Sequence, residues 1–153
     1  MELPDNMQKY KNYKELHERL KKALKEEFYF EAVFIEYAIM EDRLESVLRY
    51  EGNSIHSKNH VSINRKIDKV KTISREKNGL ARKHFTEEFL DSIYAWKEKR
   101  NPLIHALMKQ SITTEELQQL ALEGEVLAKD LSRRSTNYKR AVERNTRKQN
   151  ITK

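Results

Sequence analysis

YFEAVFIEYAIMEDRLESVLRY, residues 29–50, contains no glycine or proline and carries Phe30, Val33, Tyr37, Met40, Leu44 and Val47 at intervals of three and four. That spacing lines six apolar side chains along one side of an α-helix, so a helix is predicted over about 29–50. It ends at Glu51-Gly52-Asn53-Ser54, where Gly52 or Asn53 suits the left-handed turn that follows a helix. Such a stripe needs other apolar faces to cover it, and the flanking sequence supplies them. Upstream, Pro4 and Asp5 suit the start of a helix over about 5–27, with Tyr13, Leu16, Leu20, Ala23 and Leu24 at helical spacing. Downstream, residues 61–77 form a basic amphipathic segment on Ile63, Ile67, Val70 and Ile73, closed by Asn78-Gly79. Thr86 caps a further helix whose apolar positions are Phe89, Leu90, Ile93, Tyr94 and Trp96. A short helix is expected from Pro102 to about Lys109. Thr113-Thr114-Glu115-Glu116 is a capping box that opens the last helix, on Leu117, Leu120, Leu122, Leu127 and Leu131. Alternation of the strand type is absent. The fold class expected is all-α, a single-domain bundle of about five helices. The domain covers 1–132. Residues 133–153 are nearly devoid of apolar side chains and form a basic helical extension or tail, expected to be exposed or frayed beyond Ser132.

The 153 residues suffice for one core, and 36% of them are charged, as expected of helices with solvated outer faces. With no cysteine, disulfides and thiol chemistry are excluded. The start, MELPDNMQKY, has no apolar signal core, and no apolar run approaches ~18 residues, so a soluble cytoplasmic protein is expected. The net charge of +7 is unevenly placed: residues 56–83 and residues 129–153 each carry nine Lys/Arg against two acids. Two basic segments on an otherwise acidic body point to a polyanionic partner, nucleic acid above all. Arg65, Lys66, Lys69, Arg133, Arg134, Lys139 and Arg140 are the candidate phosphate contacts. Tyr94, Trp96 and Tyr138 could stack bases, although Tyr94 and Trp96 fit a core better.

KEKRNPLIHALMK, residues 97–109, is where chemistry is concentrated. The residue before a proline avoids the helical region, Asn101 is a good N-cap, and Pro102 is favoured at a first helical position. A helix broken here would leave Arg100 free to swing toward His105, beside the free N–H groups of a new helix start. A base and a cation on one phosphate are suitable parts for cutting RNA without a metal. The base takes the 2′-hydroxyl proton, the oxygen attacks the adjacent phosphorus, and the cation stabilises the added charge. His105 fits the first role and Arg100 the second. The same residues also fit plain capping and packing.

Arg100-Asn101-Pro102-Leu103-Ile104-His105 resembles the signature of the HEPN superfamily, in which an arginine, commonly followed by a polar residue, precedes a histidine by four to six intervening residues. The resemblance can cover most of the chain. It implies an all-α bundle, metal-independent endoribonuclease activity, and dimerisation that brings two motifs together. It also implies a role as a toxin or phage-defence effector, with RNA as partner and an antitoxin or other regulatory protein in restraint. A supporting polar residue on the second helix is implied too. Glu36, the one charge in an eight-residue apolar surround, fits that place, partnered by Arg100 or His105; Asp42 and Arg43 are second choices. Asn101 completes the candidate catalytic set of Arg100, His105, Asn101 and Glu36. The variant with a tyrosine two residues past the histidine is unsupported, since Leu107 stands there. His17, His56, His60 and His84 lack metal-type spacing. No metal and no cofactor are assigned. The alternative is a non-catalytic helical module that binds nucleic acid or protein.

Overall fold

In the computed structural model, residues 5–52, 61–76, 79–107, 109 and 113–152 are described. Six helices are found among them: α1 (Asn6–Lys25), α2 (Tyr29–Tyr50), α3 (Ile63–Glu76), α4 (Leu80–His84), α5 (Glu87–Ala106) and α6 (Thr114–Ile151). The architecture is an all-α bundle with one core.

Local chemistry places several helix ends. Asp5 accepts from the Gln8 amide, and Thr86 accepts from the Phe89 amide. Thr113 and Glu116 close a reciprocal capping box. Gly52, at φ +76°, makes the left-handed turn after α2. Asn53, Asn78, His56 and His60 lie outside the described residues.

α2 is the central element, packed against α1, α3 and α6. That explains why its buried set is wider than one stripe. Ala32, Val33, Ile35, Glu36, Ile39, Met40, Leu44, Val47 and Leu48 are all enclosed. Phe30, expected in the core, is instead 40% exposed, because the one open side of α2 runs through Phe30, Phe34 and Ala38. α3 buries the four residues expected of it, Ile63, Ile67, Val70 and Ile73. α5 buries Phe89, Leu90, Ile93 and Trp96, while Tyr94 faces out at 44% exposure. Leu122 of α6 also faces out.

α6 corrects the expectation of an exposed stretch beyond Ser132. Ser135, Tyr138 and Ala141 are buried. Tyr138 is enclosed by Tyr50, His84 and Phe85, and its hydroxyl donates to Glu51. The small hydroxyl and methyl side chains let α6 lie close to α4, which a search for large apolar residues does not register. Only past Val142 does every residue through Thr152 stand exposed. No helix among the described residues is long and apolar enough to cross a membrane.

Candidate functional site

The expected break at Asn101-Pro102 is absent: α5 runs unbroken through both residues to Ala106. Proline in a helix removes one amide donor and crowds the preceding turn. Here Leu103 and Ile104, the next two residues, pack against the core and hold the helical course past Pro102. Asn101 is therefore inside the helix and does not cap one. Its Oδ1 accepts from Arg100 Nη1 at 3.3 Å. No helix starts at Asn101 or Pro102, so the free N–H groups expected of a new helix there are absent.

On a continuous helix five residues turn through about 500°, so Arg100 and His105 point about 140° apart. Within one chain they do not converge. Arg100 is half-buried, and its guanidinium carbon sits 4.0 Å from the Tyr37 ring centre and 5.4 Å from that of Phe34. Its Nε has no hydrogen-bond partner, and it forms no ion pair among the described residues. Burial lowers its pKa, countered by Tyr37 and Glu41. His105 is exposed on the last turn of α5.

Glu36 is buried, but neither Arg100 nor His105 pairs with it; both carboxyl oxygens lack a hydrogen-bond partner. The helix turn explains this. Tyr37 faces Arg100, whereas Glu36, one step round, faces α6 at Gly124 and α5 at Trp96. Gly124 makes the room. A Cβ there would lie 2.7 Å from Trp96 Cζ2 and 2.9 Å from Glu36 Cδ. Burial, then the Glu125 charge, pushes the Glu36 carboxyl up to about 9, so it is neutral at pH 7. A neutral enclosed acid is a packing element and orients neither motif residue. Asp42 and Arg43 pair with each other, and Arg43 lies over the Tyr13 ring on the α1 side.

The candidate phosphate contacts separate into two groups. Lys66 is 3% exposed and held by Glu41 at 2.9 Å and Glu45 at 3.2 Å. Arg134 donates to the His84 carbonyl at 2.8 Å and lies over Phe89, and Lys139 donates to Ser46 Oγ at 2.6 Å. These three are structural. Arg65, Lys69 and Arg140 are exposed, as is Arg133, which pairs with Asp130. The far end of the second basic segment lies away from Arg100. Lys99 reaches Glu123 near the start of α6, and Arg144 lies ~30 Å farther along that helix. Trp96 and Tyr138 are enclosed, with the Trp96 indole donating to the Leu120 carbonyl at 2.9 Å, so neither is available to a base. Tyr94 is the exposed one.

Sequence spacing did not single out the Tyr37–Phe34 shelf under Arg100. Both fall in an apolar run, and nothing local says which side faces α5. Gly124 was legible as a glycine inside a helical pattern, which signals close approach. Among the described residues no three His, Asp or Glu side chains gather as a metal site. No family model, curated protein or solved structure matches the chain.

Proposed function

We propose that the chain is a metal-independent endoribonuclease that works as a homodimer, with Arg100 of one copy and His105 of the other acting on a single phosphodiester. The observation that supports it is the state of Arg100: a half-buried guanidinium that forms no ion pair among the described residues and lies over the Tyr37 ring. A partly desolvated cation that has only the more distant Glu41 charge, and no ion pair among the described residues, is primed to take an anion, and a scissile phosphate supplies one. His105, exposed nearby on the same helix end, is accessible to a second copy. A twofold axis pairs each arginine with the other chain's histidine, which removes the difficulty of their divergence on α5. The biological role that goes with this chemistry is a growth-arresting toxin or phage-defence effector, restrained by a regulatory protein.

The test is complementation. Arg100→Ala and His105→Ala variants are each expected to lose RNA cleavage in EDTA. Mixed together they should regain it, since a mixed dimer holds one intact pair. Mixtures as inactive as their components would overturn the shared site.

A second reading is favoured by the unbroken helix. A chain whose Arg100 and His105 point apart can be a non-catalytic module that binds nucleic acid or a protein partner. That reading predicts binding without cleavage, unaffected by His105→Ala.

A further inference from the structure

The last turns of α6 stand clear of the body. From Glu143 to Thr152 every residue is exposed, so ~15 Å of helix projects without a packing partner. Arg140, Arg144 and Arg147 recur at intervals of four and three and lie within ~60° of one another on its surface. Arg133 and Lys129 continue the same line toward the body, but there each cation pairs with an acid, Asp130 and Glu125. Past Ser135 the pairing stops: Arg140, Arg144, Arg147 and Lys148 form no ion pair among the described residues. The one acid of this stretch, Glu143, acts on the Tyr50 phenol on the α2 side.

Two facts make this more than a solvated face. Like charges three and four apart on a helix repel, by about 0.2–0.5 kcal/mol per pair, and a short unpacked helix end has little else to hold it. Its helical form is thus favoured by a bound polyanion. Separately, α4 packs on α6 and carries the exposed Lys83, and Lys83 and Arg144 both act on His84, so the cationic surface extends from α6 onto α4.

We infer that Arg140, Arg144 and Arg147, with Lys83 beside them, are a contact surface for the phosphate backbone of an RNA strand, at the end of the bundle far from Arg100. Residues four apart on the arm are ~6 Å apart along its axis, a spacing suited to neighbouring phosphates of one strand. The choice of RNA rests on the function proposed above; the contact itself does not need cleavage.

The probe is a fluorescent single-stranded 20-nucleotide RNA made entirely of 2′-O-methyl residues, which cannot be cut by 2′-oxygen attack. Its binding to the full chain is measured by anisotropy across a salt series. The Arg140→Ala/Arg144→Ala/Arg147→Ala variant is expected to bind at least roughly tenfold more weakly at low salt, with a log–log salt slope shallower by about two. Lys129→Ala, on the paired part of the line, should bind as wild type. Circular dichroism checks that the triple variant keeps its core. Equal affinity and slope for wild type and triple variant would overturn the inference, as would no binding by wild type. Tighter binding to a 20-base-pair DNA duplex, lost in the triple variant, would overturn RNA as the occupant. Cleavage of unmodified RNA is read separately, so failure of the Arg100–His105 reading leaves this outcome distinct.

Discussion

The Arg100 guanidinium lies 4.0 Å from the centre of the Tyr37 ring and meets no carboxylate among the described residues. A planar cation on a ring face is a fit that an ammonium does not reproduce. On the ribonuclease proposal, Arg100→Lys should therefore lower RNA cleavage by roughly 10²-fold or more while binding of uncleavable RNA changes little. Tyr37→Leu, which removes the ring and keeps the charge, should show a smaller loss. Single-turnover cleavage assays rank the three proteins, and a fully active Arg100→Lys would contradict the role.

His105→Ala separates chemistry from folding. The side chain is exposed, so the substitution should alter stability by no more than about 0.5 kcal/mol. On the ribonuclease proposal, expression of the wild type arrests growth and expression of the variant does not, while the two share one urea midpoint.

Glu36 gives a stability profile of defined sign. Its folded pKa, about 9, is above the ordinary carboxylate value of 4.5. The native state thus holds a proton that the unfolded chain releases as pH rises through 4.5. The stability tied to this group is complete below about 4.5 and falls steadily as pH rises to about 9. Glu36→Gln should remove that slope and be more stable than wild type at pH 7 by about 3 kcal/mol. Urea denaturation at pH 5, 7 and 9 measures it. Parallel curves for both proteins would contradict the assignment.

Gly124→Ala should be destabilising even though alanine favours a helix over glycine by about 1 kcal/mol. The added methyl collides with Trp96 and Glu36, an overpacking cost of about 1–3 kcal/mol. Shortening Glu36 to alanine in the same chain should recover part of the loss. A double-mutant cycle of melting temperatures would show the coupling.

Lys66 is a buried cation on α3. Held between Glu41 and Glu45, it should tolerate no truncation: Lys66→Ala leaves two facing carboxylates and costs about 2 kcal/mol, discounted because the acids reach solvent. Its RNA affinity should match wild type. Lys69→Ala, at an exposed site, should leave the melting temperature unchanged.

What the sequence reveals follows the range of each interaction. Asp5, Thr86 and Thr113 mark helix starts because a cap acts over three residues. α2 runs from Tyr29 to Tyr50 as its apolar period requires. α4, at five residues, is too short to display a period. Asn101-Pro102 reads locally as a break, and contacts made by Leu103 and Ile104 outweigh that preference. The enclosure of Glu36 is legible in its apolar neighbours. Its recess is not, because Gly124 lies 88 positions away. Lys66 and Lys139 look like surface cations for the same reason: their partners, Glu41 and Ser46, come from a different helix.

α6 is one 38-residue rod, ~57 Å long, whose angular phase is fixed at several stations. Gly124 must meet Glu36, Leu131 the core, and Tyr138 the carboxylate of Glu51. Deleting a single residue between Leu131 and Tyr138 would rotate everything beyond by ~100° and swing Tyr138 away from its socket, together with the arginines that follow. The rod behaves as a camshaft, tolerant of substitution along its outer side but intolerant of any change in length between its bearings.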